Sequence, residues 1–101
     1  MSEGSEGQVS CLAHREGDTV AVAVQDVEPG NAEVAILSTG ARSEVQVTEH
    51  IPLGHKLALT DMANGASVIE YGEPIALTLR PIVAGEMVHT HNIRSTKWQI
   101  T

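Results

Sequence analysis

The sequence predicts an all-β domain of short strands joined by many turns, and three observations carry that prediction. The chain has no Phe, one Tyr and one Trp among 101 residues, so its core must be built from Val, Ile, Leu and Ala. Branched side chains of this kind suit strands better than helices. No window of helical length carries an apolar stripe at i, i+3, i+4 and i+7, and every apolar segment is short and bounded by Gly or Pro. At most one or two short helical turns are expected.

This length is that of one ordinary domain, with roughly two-thirds of the unfolded surface covered on folding. Residues 1–7 are polar and Gly-rich and read as a disordered tail. The domain is expected over residues 8–93, with a C-terminal tail over 94–101. Gln8 to Leu12 extends as a strand, and His14 to Asp18 turns. Thr19 to Gln25 alternates Val20, Val22 and Val24 against Ala21 and Ala23, a strand packed on both sides. Glu33 to Ser38 and Ser43 to Thr48 form a hairpin around Gly40, with Val45 and Val47 on one face. Further strands are expected at His55 to Thr60, at Val68 and Ile69 up to Tyr71, and at Ile75 to Leu79. The last is expected as one strand from Met87 to Ile93. Asp61 is read as the cap of a turn or single helical turn.

One pattern recurs. An apolar residue stands three places before Gly at Val27–Gly30, Ile51–Gly54, Met62–Gly65 and Ile82–Gly85. The unequal spacing excludes a solenoid. The physical reading is a repeated corner, in which the apolar residue anchors the loop and Gly supplies a positive φ.

Charge and composition exclude several functions. With 13 acidic and 6 basic residues the net charge is −7, the wrong sign for a nucleic-acid binder. No apolar run is long enough to span a bilayer, and the first residues do not form a signal peptide. A soluble cytoplasmic protein is therefore the default. Cys11 is the sole cysteine, so neither an internal disulfide nor a Cys-based structural zinc site is expected. No Ser-His-Asp arrangement and no phosphate-cradling Gly-rich loop is visible.

The chemistry-bearing residues gather in the C-terminal half. His89 and His91, one residue apart in an extended segment, point to one side and can bind a divalent transition metal or an anion, beside Asn92. Polar decoration of an exposed edge explains them as well. His55-Lys56 makes a compact positive patch suited to a carboxylate, sulfonate or phosphate, or is ordinary solvated surface. Tyr71 can orient a substrate or donate a proton, or can fill an aromatic-poor core. His14 can line a site beside the Asp18 turn.

Gly54-His55-Lys56-Leu57-Ala58-Leu59-Thr60-Asp61-Met62-Ala63-Asn64-Gly65 resembles the Gly-His-Lys segment of the altronate/galactarate dehydratase family. Val68 to Ile75 resembles the family's next segment, and Ile82-x-x-Gly85-x-x-Val88-His89-x-His91-Asn92 its third. Asp18 to Ala23 is similar to its first strand. The resemblance runs from His14 to Asn92. It implies a SAF domain with a β-clip fold, and a β-elimination on a hydroxy acid such as altronate or galactarate, with divalent iron as the cofactor of the full complex. It implies a large catalytic subunit as partner, with this chain inactive alone, an anionic small-molecule substrate, and no nucleic acid or membrane. A homo-oligomer is left open.

The chain's end soon after Asn92 and the Thr96-Lys97-Trp98 ending resemble the small subunit of the related sulfolactate sulfo-lyase. By the same resemblance His55, Lys56, Tyr71, His89 and His91 are the catalytic candidates, and His89 and His91 the metal candidates. His14, Gly72 and Asn92 are the substrate-binding candidates. Three residues depart from the family pattern: Glu70 stands where lysine is usual, Ala76 where glycine is usual and Pro81 where aspartate is usual. A second reading is a free-standing β-clip module that binds carbohydrate or another partner without catalysis.

Overall fold

In the computed structural model, residues 8–96 are described, and within them the chain is all β, without a helix. The expected tail at residues 1–7, and Lys97 and Trp98 of the C-terminal tail, lie outside the described residues. The nine strands are β1 (Cys11–Ala13), β2 (Val20–Ala23), β3 (Gly30–Ile36), β4 (Arg42–Val47), β5 (Lys56–Ala58), β6 (Ser67–Glu70), β7 (Glu73–Thr78), β8 (Met87–Val88) and β9 (Ile93–Ser95). Six form one sheet in the order β4-β3-β1-β2-β5-β8, and three form a second in the order β6-β7-β9. Only the β1–β3 pair is parallel. Strand β9 carries the pairing two residues past the expected end of the domain. No helix among the described residues is long and apolar enough to cross a membrane.

The recurring corner organises this topology. Its four anchors, Val27, Ile51, Met62 and Ile82, are all buried, and they pair as two isolated antiparallel bridges, Val27 with Ile51 and Met62 with Ile82. The two bridges are built alike. Asp26 Oδ1 accepts from Leu53 N, and Asp61 Oδ1 accepts from Ala84 N, each at 2.9 Å. Gly54 N donates to Ala23 O, and Gly85 N donates to Ala58 O, each at 2.8 Å. The first half of the chain's corner is thus rebuilt in the second half. Asp61 caps the neighbouring corner across the fold rather than a helical turn of its own.

Two apolar clusters result, and β2 is packed on both faces, as its alternation predicts. Ala21, Ala23 and Leu57 join the cluster that holds Val34, Val47 and Ile51, while Val20 and Ala58 join the one that holds Met62, Val68, Ile82 and Val88. Full burial of each Ile, Leu or Val contributes about 1.5–3 kcal/mol. On β7 the larger apolar residues are not the inner ones. Ala76 and Thr78 are buried, whereas Ile75 and Leu77 are only partly buried. Thr78 is tolerated inside because its hydroxyl accepts from Ala66 N and donates to Ala63 O.

The expected single strand from Met87 to Ile93 is broken. Strand β8 ends at Val88, residues 89–92 turn, and β9 starts at Ile93. The cause is Asn92, whose fully buried amide bonds the backbone of its own turn: Oδ1 accepts from His89 N and Nδ2 donates to Met87 O. A side chain that bonds locally competes with the ladder.

Two predictions follow from the packing. Gly85 has φ +90°, and a Cβ there would overlap the Gln46 carbonyl, whereas one at Gly65 would meet open space. Gly85→Ala is expected to cost more than about 3 kcal/mol and Gly65→Ala about 1 kcal/mol, read from denaturant midpoints. The buried Cys11 thiol is pushed from 9.0 up to about 11 by desolvation. The unfolded thiol ionises first, so stability is full below pH about 9 and falls by about 2–3 kcal/mol as pH rises through 11. Replacing Cys11 by Ala is expected to flatten that alkaline slope in urea titrations.

Candidate functional site

The antiparallel pairing of β5 with β8 sets Lys56 opposite Val88 and Leu57 opposite Met87. The next position in that register sets His55 opposite His89, residues far apart in the chain. Their ring centroids lie 5.2 Å apart with the planes tilted by 49°. They line a pocket of about 260 Å³ together with Gly54, Lys56, Ile75, Val88, Thr90 and Ile93. This volume lies just under the usual range of about 300–1,000 Å³ for ligand sites and suits a small molecule.

Local structure aims each imidazole. Gly54, at φ +88°, turns the chain out of the Ile51 corner, and His55 N closes that turn on Pro52 O at 3.0 Å. His55 Nδ1 is buried with no hydrogen-bond partner. His89 sits at the start of the Asn92 turn, its N–H fixed by Asn92 Oδ1 at 2.9 Å. Asn92 itself is fully buried, and both ends of its amide bond the backbone of its own turn.

The expectation that His89 and His91 share one strand face does not hold, because residues 89–92 form a turn. His91 is exposed and is not among the residues lining the pocket. The partner of His89 is His55. The pair becomes visible only when the β5–β8 register is known; no local spacing announces it.

A second group of predicted residues adjoins the pocket. His14 stacks on Tyr71, with centroids 3.7 Å apart and planes 14° from parallel. His14 Nε2 lies 3.6 Å from Glu70 Oε2, and Lys56 Nζ lies 3.7 Å from Glu70 Oε1. Buried Glu70 therefore joins the two groups and compensates the positive patch expected of Lys56. Tyr71 and Gly72, at φ 59° and 74°, make the two-residue turn between β6 and β7, as a type I′ hairpin requires. Tyr71 is the one non-glycine with positive φ among the described residues, a local strain of roughly 1–2 kcal/mol.

Asp18 holds that strained turn in place. Its Oδ2 accepts from Tyr71 N at 2.9 Å and from Arg15 N at 3.2 Å, and its Oδ1 accepts from Gly72 N at 2.9 Å. Reading the sequence placed Asp18 in a local turn and missed this long-range role. The only signal in the sequence was an acidic residue two places before β2.

These residues do not by themselves fit a resident metal. Among the described residues no three His, Cys, Asp or Glu side chains come together as ligands. His55 and His89 supply at most two nitrogen donors.

The fold and pocket define a small all-β domain with two imidazoles at the edge of a small pocket. The chain belongs to the family described as the altronate/galactarate dehydratase SAF domain, whose model matches residues 9–96. It is 45% identical over 78 residues to altronate dehydratase of Escherichia coli (strain K12), covering 77% of this chain and 15% of that protein. It is 33% identical over 92 residues to (2R)-sulfolactate sulfo-lyase subunit alpha of Chromohalobacter salexigens, covering 89% of this chain and 98% of that subunit. Galactarate dehydratase (L-threo-forming) of Escherichia coli (strain K12) is 41% identical over 44 residues, 44% of this chain and 8% of that protein. The chain thus spans a small fraction of the dehydratases and nearly all of the sulfo-lyase subunit. Its relatives are dehydratases and lyases.

Asp18→Ala would leave the N–H groups of Arg15, Tyr71 and Gly72 without their acceptor. A loss of about 2–4 kcal/mol is expected in chemical denaturation, with Asp18→Asn intermediate.

Proposed function

We propose that this chain is the SAF component of a lyase that eliminates water from a hydroxy acid such as altronate or galactarate. It acts with a larger catalytic polypeptide and is inactive alone. The observation that carries this reading is the His55–His89 pair, brought to 5.2 Å by strand register at the edge of a pocket sized for a small acid. The dehydratase relatives support the reaction class. The subunit naming of the sulfo-lyase relatives supports a multi-polypeptide assembly.

Elimination requires a base to take the proton from the carbon next to the carboxylate. It requires an acid to protonate the oxygen leaving from the adjacent carbon. The C–H and C–O bonds break, water departs, and the enol formed becomes a keto acid. Two facing imidazoles, one acting as the base and the other as the acid, supply both functions in one pocket. Lys56 binds the carboxylate, and Asn92 fixes His89. Tyr71 and His14 form a stacked wall beyond Glu70. The iron implied by the resemblance has no complete ligand set among the described residues of this chain, and in this reading the larger polypeptide holds it.

A second reading is the alpha subunit of a sulfolactate sulfo-lyase, in which sulfite leaves instead of water. It is favoured by the match over 98% of that subunit's length.

The test is elimination by the assembly purified through a tag on this chain, with altronate, galactarate and sulfolactate as substrates. His55→Ala and His89→Ala are each expected to lower kcat by about 10²–10⁴. His91→Ala, outside the pocket lining, is expected to keep most of the rate. Full activity in both pocket variants contradicts the proposal and favours the non-catalytic module.

A further inference from the structure

Lys56 is the one formally charged side chain lining the pocket, and it is not an uncompensated cation. Glu70 Oε1 stands 3.7 Å from Lys56 Nζ while its other oxygen stands 3.6 Å from His14 Nε2. The Glu70 side chain is 9% exposed and that of Lys56 35%. Glu70 ends β6, opposite Glu73 across the β6–β7 hairpin, and the turn beyond it is fixed by Asp18. Its carboxylate is therefore a fixed negative charge behind the only cation of the pocket.

We infer that Glu70 is a specificity-determining positioning residue that restricts the pocket to hydroxy acids with one anionic end and a neutral polyol tail. One carboxylate can pair with Lys56. A second carboxylate or a sulfonate finds no further cation among the lining residues, and it brings a like charge toward Glu70 in a chain of net charge −7. This deepens the hydroxy-acid lyase reading and rests on it. It selects an aldonate over galactarate and over sulfolactate.

The test compares galactonate with galactarate, which differ only in oxidation of the terminal carbon. The purified assembly is expected to give the higher kcat/KM with galactonate. Glu70→Gln keeps the shape of the side chain and removes its charge, and is expected to shift the ratio toward galactarate about tenfold, mainly through KM. In Glu70→Gln combined with Lys56→Met that gain is expected to vanish, because Glu70 acts through Lys56. A merely structural role for Glu70 would lower both substrates alike.

Turnover with an unchanged ratio, or a wild-type preference for galactarate, overturns the inference while the lyase reading stands. Absence of turnover with any acid overturns the lyase reading. The inference is then decided on the isotope-labelled chain by NMR titration of the His55 and His89 signals with the two acids. Tighter galactarate binding in Glu70→Gln sustains it, and unchanged binding overturns it.

Discussion

The site depends on one register, that of β5 against β8. Lys56 faces Val88 and Leu57 faces Met87, and only in this alignment does His55 meet His89. A slip of one residue would turn every side chain of the short β8 to the opposite face. Two strands of three and two residues cannot fix a register alone. It is fixed by the corners that precede them. Ile51 and Ile82 are held in their bridges by Val27 and Met62, and Gly54 and Gly85 are tied to Ala23 and Ala58. Burial of four apolar anchors thus becomes the placement of two imidazoles.

Buried carboxylates organise the rest. Asp18 collects three backbone N–H groups and holds the strained Tyr71–Gly72 turn. Glu70 faces His14 and Lys56. Desolvated acids are tolerated where their oxygens have partners, and both of these do. The acidic balance of the chain is therefore not all solubilising surface. Two of its carboxylates are internal supports of the site.

The corners were legible in the sequence because their cause is local: an apolar residue, two spacers and a glycine free to take positive φ. The two-sided packing of β2 was legible because Val and Ala alternate there. The pairing of the corners was not, since nothing near Val27 names Ile51 as its partner. The histidines show the same division. Their clustering near turn glycines was visible, but the spacing of His89 and His91 suggested a strand face. Asn92 converts that segment to a turn by bonding its own backbone, leaving His91 outside the pocket lining and pairing His89 with His55 instead. Asp18 and Glu70 act over long sequence separations, which no local pattern encodes.

The central claim is that this pocket receives the acid on which the assembly acts. The most direct measurement is an experimental structure of the purified assembly with a bound, unreacted hydroxy acid. The account predicts the acid in the pocket between His55 and His89, with its carboxylate in hydrogen-bonding reach of Lys56. An acid bound elsewhere in the assembly, with this pocket open to solvent, would contradict it.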